Sequence, residues 1–227
     1  MTGLTFGLDS NNLPLVRSTA NPINSALTHT MNNERQLWLL RHGATEWAKN
    51  GRHTGNTDLP LLPEGEEEAQ KLAPALNTHQ FAAVFSSPLQ RAKRTCELGG
   101  LGQQRRILET LREWDYGDYE GITTPEIRKS IQNWTVWSHG CPNGEDAEAV
   151  QQRCEQTIAI ALAAPGVGDV ALFAHGHVLR ALTGTWLGLG AKGGRLFQLG
   201  TGTLCILGFE REQRTIIRWN AQTNGLS

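Results

Sequence analysis

Three short segments of this 227-residue chain repeat one arrangement: an apolar, β-prone run, a tight polar turn carrying His or Arg, then a helix-like stretch. They are Leu37-Trp38-Leu39-Leu40 before Arg41-His42-Gly43, Val84-Phe85-Ser86-Ser87-Pro88 before Arg91, and Val170-Ala171-Leu172-Phe173-Ala174 before His175-Gly176-His177. Placed in one parallel sheet, all three runs send their turns to its carboxyl edge, where open α/β folds bind ligands. Two Arg and two or three His at one such edge make a pocket suited to a phosphate.

The rest of the chain fits that plan. A short helix is expected over 45–50, a loop over 51–62, and an amphipathic helix from Pro63 on which Ala69, Leu72, Ala73 and Leu76 share a face. Pro74 lacks the N–H that a helix interior needs, so a kink or an early end is expected there. A strand over 82–86 leads to a helix reaching residue 98, with Ser87 as N-cap and Pro88 as first residue. Residues 105–109 read as a short strand, 146–163 and 177–188 as helices, 169–174 as a strand. Strands 203–209 and 214–219 read as an antiparallel hairpin. Alternating strands and helices indicate an α/β fold, a three-layer α/β/α sandwich around a mostly parallel central sheet. The stretch 110–145, rich in Trp, Tyr and Gly with weak periodicity, is too long for a passive connection. Its Trp114, Trp134 and Trp137 are candidates for lining a substrate mouth.

Composition excludes some partners. A formal net charge of −1 gives no reason to expect nucleic acid or a membrane surface as a target, so anion recognition is local. No apolar run approaches the ~18 residues of a membrane span. Cys96, Cys141, Cys154 and Cys205 form no CxxC pair and read as reduced cytoplasmic thiols. Residues 1–35, rich in Asn, Thr and Ser, form neither a secretory nor a transit pattern and read as a disordered tail ahead of a single domain over 36–227. A start at Met31 would run directly into the first strand, which makes residues 1–30 an expected over-extension or dispensable leader.

A phosphate monoester needs charge neutralisation, a nucleophile, and a proton for its leaving alkoxide. Arg41 and Arg91 offer forked donors that stay charged, although spacing alone does not separate Arg91 from a surface charge beside Lys93 and Arg94. Gly43 and Gly176 allow backbone to approach a ligand, and the helix starts add a favourable dipole. A neutral imidazole such as His42 attacks phosphorus if its other nitrogen is held by an acceptor. His175 and His177 find no third ligand at metal-binding spacing, so no metal and no cofactor are expected. His53, His79 and His139 read as surface or structural. Spacing does not identify the acid.

Four ordered blocks carry a family resemblance. Arg41-His42-Gly43 with Thr45-Glu46-Trp47 and Thr54-Gly55-Asn56-Thr57-Asp58-Leu59-Pro60-Leu61 comes first. Ser86-Ser87-Pro88-Leu89-Gln90-Arg91-Ala92, Leu111-Arg112-Glu113-Trp114-Asp115-Tyr116-Gly117-Asp118-Tyr119-Glu120-Gly121 and Ala174-His175-Gly176-His177 follow. Over residues 36–208 the chain resembles the histidine phosphatase superfamily, also called phosphoglycerate mutase-like. The resemblance implies a phosphohistidine on His42, phosphoryl oxygens held by Arg41, Arg91 and His175, and Glu113 as the acid. It also implies substrate contacts at Thr54, Gly55, Tyr116 and Gly176.

Departures from the pattern narrow the activity. Cofactor-dependent mutases of the family carry an Asn where Ala48 stands, a Lys near Thr124 and an Arg-Arg pair in the insertion. Without those basic groups a phosphohistidine should meet water, which favours a hydrolase over a phosphoglycerate mutase. Glu113-Trp114-Asp115-Tyr116-Gly117 and Gly140-Cys141-Pro142-Asn143-Gly144-Glu145 resemble bacterial acid phosphatases first named as mutases, and the fungal sedoheptulose-1,7-bisphosphatase type. Both act on small phosphate esters. The second is the runner-up, because only Arg128 and Lys129 in the insertion offer basic charge. A homodimer is compatible with this reading, and the sequence does not specify the metabolite.

Overall fold

The computed structural model describes residues 35–222. The expectations for the tail and for a start at Met31 lie outside the described residues. Six strands, β1 (Leu37–Arg41), β2 (Phe81–Ser86), β3 (Arg105–Ile107), β4 (Asp169–Ala174), β5 (Leu204–Glu210) and β6 (Gln213–Ala221), form one sheet in the order β3-β2-β4-β1-β5-β6. The first four are mutually parallel; β5 runs antiparallel to β1, and β6 to β5.

Both faces of the sheet are covered, which is why β1, β2 and β4 read as continuous apolar runs. Leu37, Leu39, Phe85, Val170 and Leu172 pack on the face of α7 (Ala147–Leu162) and α8 (Gly176–Trp186). The alternating residues Trp38, Leu40, Val84, Ala171 and Phe173 pack on the other face. There they meet Leu72, Leu76 and Cys96 from the region of α2 (Pro63–Gln70), α3 (Ala73–Asn77) and α4 (Gln90–Leu98). The remaining helices are short: α1 (Glu46–Asn50), α5 (Thr124–Ile127) and α6 (Val136–His139). Among the described residues no helix is long and apolar enough to cross a membrane.

Local chemistry moves several boundaries. The stripe from Pro63 breaks into α2 and α3. Pro74 cannot donate to the carbonyl of Gln70, so the helix ends there and restarts with Pro74 in a first turn. Ser87 does not cap a helix beginning at Pro88. Its hydroxyl accepts from Leu89 N–H (3.3 Å), and α4 starts at Gln90, whose N–H donates to Asp58 Oδ1 (2.7 Å). The stretch 110–145 is a chain of short helical turns. Trp114, Trp134 and Trp137 are core residues, at most 7% exposed, and do not line a mouth. Arg153 of α7 fastens this region by gripping both oxygens of Glu145 (2.7 Å each) and the carbonyls of Thr110 (2.8 Å) and Arg112 (3.0 Å).

Pairing of Arg41 with Ala174, and of Ser86 with Phe173, brings the three polar turns out level at one edge. Helix α2 seats the first of them backbone to backbone. A Cβ on Gly43 would lie 2.0 Å from Gly65 O, and one on Gly65 would lie 2.2 Å from Ala44 O. The small residue at 43 therefore serves helix packing. Gly65→Ala should destabilise the protein by about 1–3 kcal/mol through overpacking and lower its activity by displacing the His42 turn, as urea unfolding and a phosphate-release assay would measure.

Candidate active site

His42 stands directly after β1. Its N–H donates to Ala174 O (3.1 Å), and its carbonyl accepts from Gly202 N–H (3.1 Å). Its Nδ1 lies 2.7 Å from Gly43 O. A carbonyl can only accept, so Nδ1 carries the hydrogen and the lone pair sits on Nε2. Burial and the guanidinium groups of Arg91 and Arg41 hold the imidazole well below its usual pKa, hence neutral. This is the state a nucleophile requires.

Arg91 is fully buried in the first turn of α4. Its Nη1 donates to Thr57 O (2.9 Å), its Nη2 to Thr54 O (3.1 Å) and Gly55 O (3.0 Å), and its Nε to His175 Nδ1 (3.0 Å). His175 therefore carries its hydrogen on Nε2 and donates it to Ser87 Oγ (2.8 Å). Its ring stands 5.1 Å from that of His42, between centroids. Arg41 donates to Leu199 O, while its Nε is buried with no partner among the described residues. A buried donor without an acceptor is costly, and a phosphoryl oxygen would satisfy it.

Glu113 rests on the N-terminus of α8. Its Oε1 accepts from Trp114 N–H (2.9 Å) and Val178 N–H (2.8 Å), and its Oε2 from His177 N–H (2.9 Å). Helix-terminal donors hold a carboxyl group firmly in place. Tyr116 OH lies 2.6 Å from His177 Nδ1. Burial pushes the phenol well above its ordinary pKa and the imidazole well below its own. The phenol is thus the donor, and Nε2–H of His177 is left for another partner.

These groups surround a cleft of about 250 Å³. Arg41, His42, Thr54, Glu113, Tyr116 and Gly176 line it, whereas Arg91, His175 and Gly55 are buried behind it. Residues that sequence reasoning missed also line it: Trp47, Arg52, His53, His177 in this role, and Arg180. Arg180 lies over the ring of Trp137 (4.8 Å to the centroid) and donates to Gly194 O (3.2 Å). It shares the first turns of α8 with Gly176 and His177, a helical spacing the sequence displays once the helix start is placed. His53 is buried, near Tyr116 and bonded to Thr124 Oγ1 (3.2 Å). His79 lies away from the cleft, stacked on Trp38 and paired with Asp169; His139 is exposed beside Ser138. Among the described residues no three His, Cys, Asp or Glu are grouped to hold a metal ion.

A neutral imidazole, two arginines and a held carboxyl group at one sheet edge make a site suited to phosphoryl transfer. The chain belongs to the histidine phosphatase superfamily (branch 1), whose family model matches residues 37–222. It is 39% identical over 183 residues to an acid phosphatase of Mycobacterium tuberculosis, covering 80% of this chain and 90% of that one. It is 36% identical over 184 residues to a sedoheptulose 1,7-bisphosphatase of Saccharomyces cerevisiae, covering 68% of each. Among solved structures it resembles the product of an open reading frame of M. tuberculosis, with a TM-score of 0.79 and 37% identity over 84% of this chain and 99% of that one. The protein is a phosphoric monoester hydrolase of that superfamily.

Burial also sets a pH dependence. His53 is held down to about 4 by burial, against ~6.5 in an unfolded chain. Between those values the unfolded state binds the extra proton, so stability is full above pH 6.5 and is lost as the pH falls toward 4. His53 alone should cost roughly 2 kcal/mol between pH 7 and pH 4.5, with His42, His175 and His177 acting in the same direction. Urea midpoints at the two pH values would measure the loss, and His53→Gln should reduce it.

Proposed function

We propose that the domain over residues 36–227 is a metal-independent phosphomonoesterase that hydrolyses small phosphorylated metabolites, sugar phosphates among them, through a phosphohistidine on His42. The observation that carries this reading is the tautomer of His42, with Nδ1–H on Gly43 O and the Nε2 lone pair left for phosphorus. Arg41 and Arg91 neutralise the phosphoryl group, and His175 acts beside them. As the Nε2–P bond forms, the P–O bond to the leaving group breaks and Glu113 gives that oxygen its proton. The Glu113 carboxylate then takes a proton from water, whose oxygen attacks phosphorus and releases His42. Charges already in place do most of this work.

Hydrolysis is favoured over isomerisation by the wall of the cleft. Ala48 and Thr124 line it where mutases of the family carry an Asn and, nearby, a Lys. Four buried, unpaired cysteines fit a reducing compartment, and we assign the protein to the cytoplasm.

His42→Ala should abolish phosphate release. Glu113→Gln should lower kcat/KM for an alkyl phosphate by about 100-fold or more and for an aryl phosphate far less, because only the alkoxide needs full protonation. Equal losses on both substrates would remove Glu113 from the acid role.

The bisphosphatase reading gains from Arg180 and Arg52, both in the cleft wall. Arg128, by contrast, is occupied with Trp134 O (2.9 Å). A phosphate-release screen over sugar mono- and bisphosphates, with 3-phosphoglycerate isomerisation as a control, separates the readings. Arg180→Met should raise KM for a bisphosphate about tenfold more than for a monophosphate, the effect of one lost charge-assisted contact.

A further inference from the structure

We infer that Glu120 is a positioning residue for the phosphoryl clamp, acting on Arg91 through the backbone of residues 54–57; the inference rests on the phosphatase reading above. Glu120 is partly buried at the end of the segment that carries Glu113. Its Oε1 accepts from Gly55 N–H (2.9 Å) and Thr57 N–H (3.0 Å), and its Oε2 also meets Gly55 N–H (3.0 Å). The same loop turns its carbonyls toward the terminal nitrogens of Arg91. One peptide group, between Thr54 and Gly55, is bonded at both ends: its C=O to the guanidinium and its N–H to the carboxylate. Opposite charges polarise that group in the same sense, so each bond strengthens the other.

No side chain fits at position 55. A Cβ there would lie 2.6 Å from Trp114 O and 2.8 Å from Glu120 Oε2. The two segments are also stitched by Gly121 N–H to His53 O (2.9 Å) and His53 N–H to Ile122 O (3.0 Å). The acid and the clamp therefore belong to one fastened unit, with Glu120 at the join. Its neighbours serve other ends: Asp115 accepts from Gly117 N–H (2.9 Å), and Asp118 pairs with Asn143 (3.0 Å). Neither contact reaches the loop that holds Arg91.

Wild type, Glu120→Ala and Glu120→Gln are compared in kcat and KM, in orthovanadate affinity by calorimetry, and in thermal midpoint. Glu120→Ala should lower kcat about 100-fold, the order that a ~1 Å misplacement costs, and weaken vanadate in parallel, with KM little changed. Glu120→Gln keeps an oxygen for both N–H groups and should recover most of the loss. On an Arg91→Ala background, Glu120→Ala should weaken vanadate by less than about threefold further, since its route of action is gone. If Glu120→Ala does not fold, Glu120→Asp, whose carboxylate is one methylene short of the two N–H groups, takes its place in that cycle with the same expectation. A folded Glu120→Ala with wild-type kcat and vanadate affinity overturns the inference, and so does full additivity with Arg91→Ala. Absence of phosphate release by wild type instead fails the phosphatase reading, while vanadate binding still tests Glu120.

Discussion

A guanidinium buried without a ligand has to be solvated by the protein itself, and the site is organised around that need at Arg91. Removing an ion from water costs several kcal/mol unless its donors are filled. Three carbonyls of the 54–57 loop and one nitrogen of His175 fill four of its five, leaving one N–H on Nη1. That requirement turns the loop carbonyls inward, forbids a proton on His175 Nδ1, and so commits His175 Nε2–H to Ser87. The cation is rigid before any phosphate arrives, and little reorganisation is left for the reaction.

Charge balance extends the same logic. Arg41, Arg91 and Arg180 meet one buried carboxyl group, Glu113, and four imidazoles that burial keeps neutral. Neutral rings donate and accept without adding to the repulsion among the cations. Stability and the proposed nucleophilic role thus ask for the same protonation state of His42. Glu113 in turn relies on backbone donors from α8, so its placement depends on where that helix starts.

Much of the fold was legible because the central strands are buried on both faces, leaving unbroken apolar runs bounded by polar turns. Arg41, His42 and His175 lie beside those runs and share their edge. Glu113 was not readable from spacing, since it sits in irregular chain and reaches the cleft only through tertiary contact with α8; the family resemblance supplied it. Ser87-Pro88 looks like a helix start, but the hydroxyl is taken by His175, and Asp58, 32 residues back in the preceding loop, receives the first helical N–H instead. Trp134 and Trp137 carried no sign of which side of the insertion they faced. His53 and Arg180 looked like ordinary polar residues until the loop and α8 closed over them.

The position of β1 in the sheet has a consequence for how the chain acquires its site. Leu37 pairs with Val170 on one side and Leu207 on the other, so the strand leading to His42 waits for partners from the last third of the chain. Such non-local pairing is slow, and during synthesis Leu37, Leu39 and Leu40 emerge long before anything can cover them. No early fragment can assemble the pocket, because His42 is held by Ala174 and Gly202. Competence for phosphoryl transfer therefore arrives with completion of the sheet.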